Sequence, residues 1–191
     1  MPLDEKRLKM EEVTFYFPPK SPSEAFIEAR DKLKSKGYAF NESKKMCMVD
    51  QTSGKLDETK GFVFEVKKGD HKFNQSNYEE IGGIITDYVF GLMTSDPMNL
   101  RKVDLPKCGD KKSFVFISDD FETNEKLCIL IHGSGVVRAG QWTRKLIINE
   151  NLDLGTIMPD IMMAKQRGFA VLVSNTNDNC RYNLRNLIES V

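Results

Sequence analysis

The sequence predicts an α/β fold: an incomplete parallel sheet preceded by a small α+β extension. Three observations predict it. Residues 113–117, 127–131 and 169–173 are short apolar runs with the length and composition of buried strands. Between the last two lies a helical segment, residues 159–167, that Gly168 stops; strand, helix, strand in that order argues for a parallel pair joined by a right-handed crossover. Ahead of these strands the character differs, with helix signals interleaved with short strands and polar turns.

The elements follow in chain order. Residues 1–22 read as an N-terminal tail, charged and aperiodic at first, then carrying an aromatic patch (Phe15, Tyr16, Phe17) closed by Pro18 and Pro19, which is expected to dock on the domain surface. Ser23, just after Pro22, is placed to cap a helix over residues 24–36, with Gly37 as its stop. Residues 38–40, 46–50 and 61–66 read as strands of an antiparallel meander, with Thr52-Ser53-Gly54 supplying a turn. Asn77 is the expected cap of a helix over residues 78–93. Tyr78, Ile81, Ile85, Tyr88, Val89 and Leu92 recur at helical spacing on its buried face, and Gly82-Gly83 allows close packing. Pro97 closes this region. The domain is expected to span residues 23–177, with residues 178–191 as a divergent, weakly helical tail (Leu184, Leu187, Ile188).

Composition narrows the function. Twenty-eight Lys and Arg balance 28 Asp and Glu, so no basic excess supplies general phosphate affinity and there is no direct nucleic-acid signal. The pairs Lys44-Lys45, Lys67-Lys68 and Lys111-Lys112 are isolated and read as solvated loops. Cys47, Cys108, Cys128 and Cys180 are scattered, and His71 stands far from His132, which argues against a zinc site; no metal and no cofactor is expected. Cys128 falls inside the apolar strand and reads as a small core residue. No apolar run approaches membrane-spanning length, and the first residues show no secretory h-region; nucleus or cytoplasm is the expected location.

The strand over residues 127–131, expected to be buried on both faces, runs into His132-Gly133-Ser134-Gly135. In α/β-hydrolases a strand ending in His-Gly supplies one backbone N–H of an oxyanion hole, and the nucleophile follows on a Gly-x-Ser-x-Gly elbow. No serine in this sequence has glycine two residues before and two after it. The turn His132, Gly133, Ser134, Gly135 is therefore read as vestigial, with no catalytic residue assigned and His132 as a structural histidine. Ser134 as a nucleophile needs a base, and only His71 and His132 are available. The loop from Gly135 to Gln141 matches neither Gly-rich phosphate motif. Arg138, Trp142 and Arg144 are candidates for binding an anion or a partner. The favoured reading is structural: Trp142 packs a helix onto the sheet, and the arginines pair with Glu150 or Asp153. Asp119, Asp120 and Asp153 read as loop and cap residues.

The run Leu130-Ile131-His132-Gly133-Ser134-Gly135-Val136-Val137-Arg138-Ala139-Gly140-Gln141-Trp142 resembles the argonaute-binding (Arb-type) family of α/β-hydrolase-like proteins. Leu146-Ile147-Ile148-Asn149-Glu150-Asn151-Leu152-Asp153-Leu154-Gly155-Thr156 continues the resemblance, and Tyr38-Ala39-Phe40-Asn41-Glu42 and Tyr78-Glu79-Glu80-Ile81-Gly82 fit its animal branch of cotranscriptional regulators. It covers roughly residues 36–175. The resemblance implies an α/β-hydrolase-like domain and association with nuclear small-RNA silencing, heterochromatin and splicing, with argonaute or splicing and chromatin proteins as partners. The chain departs from the family pattern in three ways. Family members continue through a charged insert to a His-Ser-x-Gly-Gly elbow, which is lacking in this sequence. Their Asn-Pro-Asn is Asn175-Thr176-Asn177, and no match is seen from about Asp178 onward. The expectation is a truncated, non-catalytic Arb-type protein that acts by binding. The alternatives are a fragment of an esterase or amidase completed by a serine from another chain, or a product without function.

Overall fold

The computed structural model describes residues 23–105 and 113–177. The expected tails at 1–22 and 178–191, with the aromatic patch, Cys108, Lys111-Lys112 and Cys180, lie outside the described residues.

Helix α1 (Glu24–Ser35) begins where Ser23 accepts the Phe26 N–H at 3.2 Å, and the chain turns out of it at Gly37, φ +85°. Phe26, Ala29 and Leu33 form its buried face. The meander follows as β1 (Tyr38–Phe40), β2 (Met46–Val49) and β3 (Leu56–Asp57), all antiparallel, with Tyr38 opposite Met48 and Met48 opposite Asp57. The strand expected over residues 61–66 is not one. Its aromatic residues anchor the segment without a ladder: Phe62 packs on Tyr38 and Tyr78, Phe64 on Tyr78, and the Val63 N–H donates to the Tyr38 hydroxyl.

Helix α2 (His71–Thr94) starts more than a turn before the expected cap. Asp70, not Asn77, accepts the Phe73 N–H at 3.0 Å, after Gly69 reverses the chain at φ +76°. Buried Asn74 explains the early start. It accepts the Lys67 N–H and donates to the Lys67 carbonyl, at 2.9 and 2.8 Å, fastening the entry loop to the first turn. Ile81, Ile85, Tyr88 and Val89 face the core as expected. Gly91 lets α1 lie against α2, since a Cβ there would stand 2.5 Å from the Phe26 Cα.

The second sheet holds β4 (Arg101–Asp104), β5 (Phe114–Ile117), β6 (Leu127–Leu130) and β7 (Ala170–Val173), in the order β4-β5-β7-β6. Its expected parallel character is corrected: only β6 and β7 are parallel, while β4–β5 and β5–β7 are antiparallel. Residues 118–126, between β5 and β6, are too few for the crossover that parallel strands need. They form a turn in which Asp120 accepts from the Ser118 hydroxyl at 2.6 Å and the Asn124 amide at 2.7 Å. Strand β6 is also not buried on both faces. It lies at the edge of the sheet with Leu127 and Ile129 exposed, while Cys128 and Leu130 pack on the core.

Between β6 and β7 run α3 (Arg144–Asn149), α4 (Leu152–Gly155) and α5 (Met158–Gln166). The last matches the expected helix, with Gly168 at φ +74° just beyond its end. Phe116, Val171 and Val173 share the main core with Ile85, Val89, Ile147 and Ile161. On the opposite face Val115, Ile117 and Leu172 form a smaller cluster with Leu105. The result is a mixed α/β structure of two small sheets.

Candidate functional site: the loop after β6

Strand β6 delivers His132 into the protein, 6% exposed. Its Nδ1 lies 3.0 Å from the Gly133 carbonyl oxygen and 3.3 Å from the Asn177 side-chain nitrogen, whereas Nε2 contacts neither. That Nε2 is buried without a partner among the described residues. Gly133, Ser134 and Gly135 are exposed, and Gly135 takes φ +116°.

The end of β7 ties this turn down. Asn177 donates to the carbonyls of Gly133 at 2.7 Å and Val137 at 3.2 Å. Asn175 accepts the buried Ala139 N–H at 3.1 Å, and the Ser174 hydroxyl donates to the Leu130 carbonyl at 3.2 Å. A parallel β6–β7 pair puts both strand ends on one side, so three polar residues, Ser174, Asn175 and Asn177, reach the loop. Further on, Gln141 is fully buried and donates to Thr86 Oγ1 at 2.9 Å; Thr86 in turn donates to the Gly82 carbonyl at 3.0 Å. Gly140, at φ +87°, admits Val89 and Met93 where a side chain would clash. The loop is thus fixed to both β7 and α2.

The chemistry this allows is limited. Ser134 makes no hydrogen bond among the described residues, and no base reaches it. His132 Nδ1 lies against the turn's own Gly133 carbonyl and the Asn177 amide, and His71 packs beside Phe64 at the start of α2. No group of three His, Cys, Asp or Glu side chains among the described residues could hold a metal ion.

Of the three partner-binding candidates, the structure brings Arg138 and Arg144 to one backbone carbonyl, while Trp142 bonds elsewhere. Trp142 lies outside the buried core, 38% exposed, and its indole N–H donates to Asp160 of α5 at 2.8 Å. The arginines pair with neither Glu150 nor Asp153; Asp153 is held at 2.8 Å by Lys44 from the β1–β2 turn. Instead Arg138 Nη1 donates to the carbonyls of Val136 and Val137, at 3.3 and 3.1 Å. Arg144 Nη2 donates to the same Val136 oxygen at 3.3 Å. The Arg144 guanidinium fills the notch left by Gly82 and lies 5.8 Å from the Tyr78 ring centroid. Asp119 and Asp120 lie in the β5–β6 turn. There the Ser118 hydroxyl and the Asn124 amide hold the Asp120 carboxyl below its ordinary value.

Sequence reasoning missed a cavity of about 350 Å³ between α1, α2 and the second sheet, lined by Glu28, Lys32, Asp87, Phe90, Lys102 and Phe116, among others. Burial pushes the Asp87 carboxyl up there. Its lining comes from three distant segments, and no local motif marks it.

Against protein families, the Arb2 domain model matches residues 30–191. The cotranscriptional regulator ARB2A of Mus musculus is 47% identical over 153 residues, covering 78% of this chain and 35% of that protein. The Homo sapiens protein of the same name is 47% identical over 157 residues, covering 80% and 36%. The putative protein ARB2BP of Homo sapiens is 34% identical over 159 residues, covering 81% and 42%. The chain thus spans little more than a third of the length of the curated relatives it matches. No solved structure matches it. No helix among the described residues is long and apolar enough to cross a membrane.

Proposed function

The chain belongs to the Arb2 domain family, and from that membership we propose that it is a non-catalytic protein of cotranscriptional regulation that acts by binding other proteins. The names of its relatives support the regulatory part of this reading. One observation carries the non-catalytic part: Ser134 makes no hydrogen bond among the described residues, and His132 Nδ1 lies instead against the Gly133 carbonyl and the Asn177 amide, so Ser134 stands without a base. An acyl-transfer site needs a nucleophile and base within hydrogen-bond reach, facing oxyanion donors.

The finer assignment is action in the nucleus, with argonaute, splicing or chromatin proteins as partners in small-RNA silencing, heterochromatin formation or splicing. We read the second sheet as hydrolase-like, the parallel β6–β7 unit with a His-Gly turn at the carboxyl end of β6 being its support.

Two measurements test this. The purified chain is incubated with a fluorophosphonate serine probe and with p-nitrophenyl acetate. The expected result is no labelling and no turnover above a Ser134→Ala control; labelling lost in that control overturns the non-catalytic reading. The tagged chain is also recovered from crosslinked nuclei. Enrichment of argonaute, splicing or chromatin proteins is expected, and a purely cytoplasmic recovery without them overturns the regulatory reading.

A further inference from the structure

Arg138 and Arg144 direct two guanidinium groups at one neutral oxygen, the Val136 carbonyl, each at 3.3 Å. The two donor nitrogens therefore lie within twice that distance of each other. Neither arginine has an ion pair among the described residues. Of the two carboxylates the sequence offered them, Asp153 is held by Lys44, and Glu150 forms no ion pair among the described residues. Arg144 is also held in place. A Cβ at Gly82 would stand 2.5 Å from its guanidinium carbon, Tyr78 lies beside it, and its Nε is buried with no acceptor. Two like charges converging on one carbonyl repel each other. A planar anion accepting from both resolves the repulsion, and guanidinium is the side chain suited to that geometry.

We propose that Arg138 and Arg144 form a carboxylate-binding site for an acidic segment of a partner protein. This rests on the reading that the chain acts by binding. The surroundings favour protein over nucleic acid. Among the described residues two cations converge on this carbonyl, the chain has no net positive charge, and Val136, whose carbonyl both share, is apolar and 62% exposed. A phosphodiester chain is held by a track of many cations. An acidic segment with interspersed apolar residues matches both the charge pair and the exposed Val136.

The test is fluorescence anisotropy of the full chain with three labelled probes: a dodecapeptide alternating glutamate and leucine, the same peptide with glutamine for glutamate, and a single-stranded RNA of equal length. Saturable binding of the acidic peptide alone is expected. Arg138→Gln should weaken it about tenfold, the loss of one charge-assisted hydrogen-bonded contact. Arg144→Lys keeps the charge but not the fork and should weaken it by a smaller factor. Because Arg144 fills the Gly82 notch, Arg138→Gln is the deciding variant, with its thermal unfolding recorded alongside. Absence of acidic-peptide binding, equal binding by a folded Arg138→Gln chain, or tighter binding of RNA each overturns the proposal. Ester turnover together with arginine-dependent peptide binding overturns only the non-catalytic reading; no turnover and no peptide binding overturns only this site.

Discussion

The side-chain amide of Asn177 donates to the Gly133 carbonyl at 2.7 Å, joining the end of β7 to the turn that leaves β6. Its neighbour Asn175 makes a second such tie, to the Ala139 N–H. The two differ in burial: Ala139 is fully buried, whereas the Asn177–Gly133 contact is exposed. Asn175→Ala leaves a buried donor unsatisfied and is expected to cost about 1–3 kcal/mol, against about 1 kcal/mol or less for Asn177→Ala. Urea unfolding of the two variants checks the order; an equal or reversed order contradicts it. Amide exchange should also quicken over residues 133–137 in Asn177→Ala.

The glycines of α2 give a sharper contrast. A Cβ at Gly91 would meet the Phe26 backbone, which cannot step aside without moving α1. Gly91→Ala should therefore destabilise by more than about 2 kcal/mol. At Gly83 nothing lies within 4 Å, so Gly83→Ala should stabilise by about 0.5–1 kcal/mol through helix propensity alone. Thermal unfolding of both variants decides it, and a Gly83→Ala chain less stable than the parent would overturn the argument.

Those glycines also mark how far the sequence could be read. Periodicity found Ile81, Ile85 and Val89, and turn chemistry found Ser23, Gly37 and Gly168, because both signals are local. The start of α2 was missed because Asn74 contributes through bonds to Lys67 rather than by apolar spacing. Strand β4 was missed because Arg101, Lys102 and Asp104 are exposed and only Val103 is partly covered. The apolar run of β6 suggested two buried faces, yet exposure depends on which strands lie beside it, and strand order is not written in composition. At the site, Lys44 reaching Asp153 across 109 positions was not legible, because no local signal joins residues so far apart. That long-range pair occupies one of the two carboxylates assigned to the arginines.

Trp142→Ala tests the corrected placement of this side chain. The indole is 38% exposed and holds one hydrogen bond, to Asp160. Its removal should cost about 1 kcal/mol, far below the about 3–5 kcal/mol of a core aromatic. A loss in the core range on urea unfolding would show that the indole carries packing the contact with Asp160 does not account for.

Acidification should weaken the β5–β6 turn. The Ser118 hydroxyl and the Asn124 amide stabilise ionised Asp120 and lower its folded pKa below the ordinary 3.8. A carboxyl lowered on folding contributes stability above its unfolded value, and loses it as pH falls through 3.8 toward the folded value. Asp120→Asn should reduce stability at neutral pH and flatten the acid limb of the stability curve. Identical acid limbs in parent and variant would rule out this contribution.

The alkaline limb belongs to Tyr88. Its ring sits 4.9 Å from Phe26 and 5.0 Å from Phe40, and burial pushes the phenol up from 10.0 to about 12. Ionisation would put a phenolate among aromatic rings, so the folded state retains the proton longer than the unfolded chain does. The folded pKa being the higher, this contribution is fully present below 10.0 and is lost as pH rises through about 12. Tyr88→Phe keeps the ring packing and removes the titration. Stability of the parent should therefore fall more steeply than that of Tyr88→Phe across this alkaline range. Tyrosinate absorbance gives the independent check: folded parent and Tyr88→Phe should give the same signal near 10.0 and differ by one tyrosine only toward about 12. Full titration of all tyrosines in the native chain near 10.0 would mean that the α1–α2 contact is open to water.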